Sequence, residues 1–572
     1  MGDLGISFAE RGSALLAWFS NPLTQMLLWP LIGCVLVAMT PKDKLGRIRF
    51  LAVLFCGLSF LSVVLMLTGL PEAIRAIPFF AQYQAFTPYA EVLQFWLPPE
   101  QYAWFAVRFG EAQSFTINWN VGIDGLNMPL VAFAATIMLL TCIWSLKRTE
   151  RIREYFALFL LLQTGLLGIF VALDYVLFYL FWELMLIPMY FLIAGWGARR
   201  EEAQRSAIKF FVYTVAGSVF YLIAFIALQI FSGRLDFSIL GVGEMALRGG
   251  MDFLPFQWKL LIFIGLMLAF AVKIPMFPFH TWLPDAHTEA PTEMSVILAA
   301  VMLKTGAYGM IRIVYSTLPD IAYQAGPVIA ACGVIAIVYG AAVTLVQTDL
   351  KRMIAYSSIS HMGFIVLGIS VMKLDGLVGS VFHMIGHGVI IAALFFLASV
   401  IEERYGTRDL RELAGMLRLA PAYGIALAIA SFAAMGFPLM MGFWGELLIL
   451  KGAFFNNPNW EQVRVGAMDG STFLQWCAIV AIIGVLTSAV YIINMLTKVL
   501  TGEPGTAGLQ NNGVGLQTRE GEPKPWRGMQ PLHAVAIVPL IAAMLLFFWW
   551  PAPIINCVQI PASGLYAIWL TK

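Results

Sequence analysis

Seven ionisable side chains stand in stretches that are otherwise apolar. Glu183 lies in "YVLFYLFWELMLIPMYFLIAGWG", Lys273 in "AFAVKIPMFPFHTWLPDAH" and Lys304 in "VILAAVMLKTGAYGMIRIVY". His361 follows three serines in "KRMIAYSSISHMGF", His383 and His387 share "FHMIGHG", and Glu446 ends "MGFPLMMGFWGE". A charge in the middle of a lipid layer costs roughly 3 kcal/mol or more, so such groups default to function and to a partner. Burial disfavours the charged form of a lysine, and a nearby carboxylate restores it. Moving that carboxylate makes the lysine hold or release a proton, and histidine titrates near neutral pH unaided. Glu183, Lys273, Lys304, His361, His387 and Glu446 therefore fit a proton relay. The plainer alternative is that Glu183 and Lys273 neutralise each other and lock two helices together. That pairing leaves Lys304, His361 and His387 unexplained, so the relay is the preferred reading.

Other chemistry is weakly supported. His383 and His387 are spaced i, i+4, but the residue after His383 is Met384 rather than the glutamate of a zinc-protease motif, so a zinc site there is not expected. His280, Asp285 and His287 in "HTWLPDAH" could form a metal loop, but turn and capping roles explain them more simply. Ser357, Ser358 and Ser360 could carry hydrogen bonds or waters, or pack helices, the commoner case. The six cysteines fall in separate apolar segments with no C-x-x-C spacing, which supports neither a zinc knuckle nor an iron–sulfur cluster. Neither a G-x-G-x-x-G after a strand nor a Walker A sequence is present, so nucleotide chemistry is expected elsewhere.

The elements that must position these groups are membrane helices. Of 572 residues, 60% are hydrophobic and 12% charged, against roughly 25% charged in a soluble domain. The net charge of +2 gives no reason to expect nucleic acid. The opening "MGDLGISFAERGSALLAWFSNPL" lacks a basic stretch before an apolar run, so the first span is expected to be retained. About 14 segments reach the length of about 20 apolar residues that a bilayer needs. They cover 23–40, 50–70, 127–146, 154–172, 174–195, 207–231, 257–281, 292–315, 326–347, 352–371, 377–401, 420–455, 472–498 and 533–556. The twelfth is too long for one straight crossing and contains Pro438 and Gly442, so a broken helix is expected.

Alternate loops are basic, beginning with Lys42, Lys44, Arg47 and Arg49, then Lys147, Arg148, Arg151 and Arg153. By the positive-inside rule both termini lie outside. Residues 71–126 form an outer region with a small hairpin in "EAQSFTINWNVGIDGLNMPL", and the Gly/Pro/Gln-rich 499–532 reads as an inner linker. Pro275 and Pro438 each interrupt a span carrying an ionisable residue, and such paired breaks mark ion sites between repeats. Pro275 frees a carbonyl that protein or water must satisfy, which favours a hydrated pocket beside Lys273. Spans 4–8 and 9–13 are candidate halves, and five helices in each makes them inverted. The fold class is an all-α polytopic membrane protein with broken spans 7 and 12. Its divisions are 1–126, 127–153, 154–315, 316–498, 499–532 and 533–572.

The long segments "KIPMFPFHTWLPDAHTEAPTEMSVILAAVMLKTGAYG" and "DLKRMIAYSSISHMGF" resemble the antiporter-like subunits of respiratory complex I, and "VGIDGLNMPL" is similar to their entry into span 3. The resemblance runs from the hairpin through span 13. It implies 14 core helices in two inverted five-helix repeats, and proton pumping coupled to quinone reduction in other subunits. NADH, FMN, iron–sulfur clusters and quinone would belong to those partners, with no cofactor on this chain. Carried over by position, Glu183 matches a glutamate paired with Lys273, Lys304 the central lysine, His361 and His387 the hydrophilic-axis histidines, and Glu446 the glutamate typical of the M (chain 4) type. The chain departs from the family pattern at Leu439, where a glycine usually follows the proline, and at Met440 and Met441. The expected function is a proton-translocating subunit of a NADH–quinone oxidoreductase in a bacterial inner membrane, among other membrane subunits and lipid. The proton would pass along Lys304–His361–His387 to Glu446. Alternatives are a subunit of a multi-component Na⁺/H⁺ antiporter, of a membrane-bound hydrogenase or of a carbon dioxide-hydrating complex. A structural subunit with inert charges, or a solute carrier, would be a different class.

Overall fold

A computed structural model describes residues 19–70, 102–109, 113–232, 238–239, 254–455, 458–502 and 528–570. The first helices are α1 (Pro22–Met39), α2 (Leu45–Thr68), α3 (Met128–Trp144), α4 (Ile152–Val171), α5 (Tyr175–Trp196) and α6 (Arg200–Ser232). The seventh span is two pieces, α7a (Phe256–Lys273) and α7b (Trp282–Glu289). Then come α8 (Thr292–Thr317), α9 (Pro319–Leu345), α10 (Leu350–Ser370) and α11 (Leu374–Tyr405). The twelfth is again two pieces, α12a (Pro421–Ala434) and α12b (Met441–Phe454), followed by α13 (Gly470–Leu500), α14 (Pro531–Trp549) and α15 (Ala552–Leu570). Thirteen described helices are long and apolar enough to cross a bilayer. The expected hairpin is present as β1 (Tyr102–Phe109) and β2 (Gln113–Trp119), antiparallel, with Phe105 opposite Ile117. Most of 71–126 before the hairpin, and most of the 499–532 linker, lie outside the described residues.

Helix starts follow the sequence. Asp174 accepts hydrogen bonds from the backbone N–H of Val176 and Leu177 at 2.9 and 3.1 Å, and Asp349 accepts from Arg352 at 2.9 Å. These side chains satisfy donors that a helix leaves open at its first turn. The last span differs from expectation. It stops at Trp549 rather than at 556, because Pro551 cannot continue the ladder, and α15 follows. Helix α15 folds back over the start of α3, where a Cβ on Gly125 would lie 1.9 Å from the Cys557 carbonyl. Only a residue without a side chain allows that approach.

The basic loops gather at one end of the bundle and are tied by ion pairs. Arg148 grips the buried Glu293 at 3.0 and 2.5 Å, joining α3 to α8. Arg199 pairs with Glu289, Lys147 with Glu403, and Lys351 with Glu402 at 3.5 Å. At the opposite end, Arg312 donates to Asp124 at 2.5 Å with both side chains buried, and Lys259 donates to Asp320 at 2.9 Å. Helices α8 and α11 are enclosed by protein along their whole apolar lengths, and α10 nearly so. These three carry Lys304, His361, His383 and His387.

Candidate functional site

Helix α8 is not a uniform α-helix. Leu298–Met302 and Met310–Val314 are wide π turns on either side of Leu303–Gly309, which holds Lys304. Such insertions are rare and favour functional positions. Here the wide turn leaves the Ala299 carbonyl within reach, and Lys304 Nζ donates to it at 2.6 Å. The same ammonium lies 2.7 Å from Nδ1 of His387 on α11, so the central lysine and a histidine from a distant helix are in direct contact.

From His387 the buried groups continue in order. The His361 ring centre is 5.2 Å from that of His387, and His361 Nδ1 is 3.5 Å from Glu446 Oε1. Lys304, His361, His387 and Glu446 are all at most 6% exposed. The geometry changes one expectation. The two histidines come in the order His387 then His361, because His387 is the one Lys304 touches and His361 the one whose Nδ1 lies 3.5 Å from Glu446. His383, one turn before His387, stands to the side. Its ring is 5.4 Å from His361 and 6.3 Å from His387, and neither ring nitrogen has a hydrogen-bond partner among the described residues.

Glu446 is positioned by a helix end. Helix α12a closes with Gly436 at φ +68°, Gly436 N–H to Ala433 O at 3.3 Å and Phe437 N–H to Phe432 O at 3.2 Å. That is a glycine-dependent C-terminal motif. A Cβ at Gly436 would also fall 2.2 Å from Glu446 Oε2. The glycine thus serves the backbone and makes room for the carboxylate. Leu439 has φ +79°, a left-handed conformation that favours the glycine expected there. The adjacent serines are mostly occupied locally. Ser357 and Ser358 donate to Ile354, whereas Ser360 donates across to Ile337 of α9 at 2.9 Å.

Lys273 ends α7a, fully buried. Its ammonium lies 5.5 Å from the Trp182 ring centre and 5.8 Å from that of Phe210, and has no hydrogen-bond partner among the described residues. Glu183 is the carboxylate whose charge acts on it, but no ion pair joins them, so the expected pair is separated here. The carbonyls freed by the break are met by protein. Ala271 O accepts from Met276 N–H at 2.9 Å, and Val272 O from the Trp282 indole at 3.0 Å. Gly306, two residues after Lys304, packs against Lys273 Cβ, which brings the two lysines' helices together.

Also buried are His287, which the sequence offered only as part of a metal loop, and three charged groups that the sequence reading did not single out, Glu293, Arg312 and Asp124. His287 of α7b is wholly buried, stacks on Phe395 at 5.1 Å, and has both ring nitrogens unpartnered among the described residues. Glu293, Arg312 and Asp124 form buried pairs. Arg312, eight residues after Lys304 in the same apolar run, carried a signal of the same kind; its partner, 188 residues away, did not.

Fold and site together define a polytopic helical membrane protein with a file of ionisable groups through its core. A family model described as "NADH:quinone oxidoreductase/Mrp antiporter, TM" matches residues 172–468. The chain is 35% identical to NAD(P)H-quinone oxidoreductase chain 4 2 of Thermosynechococcus vestitus, covering 84% of this chain and 82% of the relative. It is 34% identical to NADH-quinone oxidoreductase subunit M of Rickettsia bellii, covering 81% and 85%. A chain of respiratory complex I from Thermus thermophilus matches with a TM-score of 0.75 at 25% identity, over 96% of this chain and 99% of that one. A chain of the Mrp complex from a Dietzia species shares the fold, with a TM-score of 0.70 at 20% identity over 94% and 52%. The protein belongs to the NADH:quinone oxidoreductase/Mrp antiporter transmembrane family.

Proposed function

We propose that this chain is the M-type proton-conducting subunit of a NADH–quinone oxidoreductase, and that its Lys304–His387–His361–Glu446 file carries the proton. The 2.7 Å contact between Lys304 and His387 carries this reading, because it joins a buried donor to a buried acceptor across two helices. A proton leaving Lys304 Nζ for His387 Nδ1 converts an ammonium into an amine and an imidazole into an imidazolium. Transfer to His361 needs a ring rotation or a bridging water, given 5.2 Å between ring centres. Glu446, whose Oε1 lies 3.5 Å from His361 Nδ1, then accepts the proton on its carboxylate. Lys273 acts as the gate. When Glu183 approaches, Lys273 holds its charge, and a positive Lys273 beside α8 repels a proton from Lys304.

The two breaks support an internal repeat over 154–315 and 316–498. Each first half closes with the same N–H to the fifth residue back, Met276 to Ala271 and Phe437 to Phe432. Under this reading both termini face outward from a bacterial plasma membrane, the redox cofactors and quinone sit in partner subunits, and neighbouring antiporter-like subunits flank the chain. The relatives at 34–35% identity carry quinone-oxidoreductase names, whereas the Mrp complex chain is matched at 20% identity. Purification of the tagged chain from its native membrane separates these alternatives. The reading predicts copurifying flavin and iron–sulfur subunits with NADH:quinone reductase activity. Copurification with Na⁺/H⁺ exchange and no redox subunit would contradict it.

A further inference from the structure

The sequence gives no metal motif, yet folding brings His361 of α10, His383 of α11 and Glu446 of α12b together. One ligand atom from each lies within 4.8 Å of the other two, and all three residues are buried. We propose that these side chains form a site for a divalent zinc-type cation, and that its occupation blocks proton transfer from His361 to Glu446.

The donor set is two imidazoles and one carboxylate, which zinc accepts with a fourth position left for water. Zinc–ligand bonds of about 2.0–2.2 Å place tetrahedral donors roughly 3.3–3.6 Å apart. His361 Nδ1 and Glu446 Oε1 already stand at 3.5 Å. His383 needs only a side-chain adjustment to join them, and both its ring nitrogens are free of hydrogen bonds among the described residues. The charges also fit. A divalent ion with the Glu446 carboxylate and a bound hydroxide sums to zero, and zinc brings its water's ionisation to near pH 7. The way in runs past the α12 break, where Phe437, Pro438 and Leu439 are exposed on this chain and Gly436, without a side chain, packs beside Glu446 Oε2. The His383–His387 pair, which the spacing alone would suggest, is a poorer choice, because Lys304 already holds Nδ1 of His387.

The metal would occupy the two atoms that the last relay step uses, so the inhibition, though not the site, rests on the proposed function. The test uses the whole complex in proteoliposomes, stripped with chelator and titrated with Zn²⁺. Bound zinc, the visible spectrum of a Co²⁺ substitute and NADH-driven proton uptake are read on wild type, His383→Gln and His383→Cys. His383 is outside the relay, so His383→Gln should pump normally without metal. It should lose one bound zinc per complex and raise the half-inhibitory zinc concentration by more than about tenfold. His383→Cys, which restores a ligand, should recover binding and a four-coordinate cobalt spectrum. Equal zinc binding and inhibition in wild type and His383→Gln would overturn the site. Zinc bound through His383 with unchanged pumping would leave the site standing and overturn the relay reading instead.

Discussion

Lys304 and Glu446 are the two ends of the buried file, and they differ in how they are held. Lys304 is fixed by Ala299 O and His387, so replacing it removes the donor from an otherwise intact contact. Glu446 is fixed by the space that Gly436 leaves. Gly436→Ala should therefore act like a change to the glutamate itself. The added methyl displaces the carboxylate, and its left-handed backbone costs about 1 kcal/mol. We expect proton pumping in Gly436→Ala to fall several-fold while quinone reduction in uncoupled membranes stays near wild type, measured by proton uptake against NADH oxidation. Pumping equal to wild type would detach Glu446's position from its role. Glu446→Gln, which keeps the shape but cannot take the proton, should pump no better than Gly436→Ala. The candidates themselves were legible because each charge interrupts an apolar run. The order of the histidines was not, since it depends on which faces α10 and α11 turn toward α8 and α12b.

At the scale of elements, the two broken helices were legible from Pro275 and Pro438, but not the way each break is satisfied. Carbonyls freed near Lys273 are met by Met276 and the Trp282 indole, a partner nine residues beyond the charge. The π turns of α8 left no mark in composition, because Leu298–Met302 reads as ordinary helix former. The closing helix α15 was missed because the apolar window ran through Pro551. One departure from the family pattern becomes testable here. Leu439 occupies a left-handed conformation and is 48% exposed, so it gives up little packing. Leu439→Gly should stabilise the chain by about 1 kcal/mol, read as a higher unfolding temperature of the solubilised complex. A lower temperature would mean that the leucine packs against a neighbour.

For the whole molecule, the membrane-helix class was readable from apolar length: about 14 spans were expected, and thirteen described helices are long and apolar enough to cross a bilayer. The clamps that hold the bundle's ends were not readable, because their partners are far apart in sequence. Arg312 and Asp124 are joined across 188 residues, both buried. Asp124→Asn leaves a buried guanidinium without its counter-charge, at a cost of about 3–5 kcal/mol. Reduced assembly of this chain into the complex, seen on native gels, is the expected result. Full assembly with unchanged thermal stability would show that the pair contributes little.

The central claim is that protons pass through Lys304. The direct measurement is the number of protons moved per electron by the reconstituted complex carrying Lys304→Ala, followed with a pH-sensitive dye during NADH oxidation. The account predicts a clear fall in that ratio, with redox turnover slowed or uncoupled from pumping. A ratio equal to wild type would contradict it.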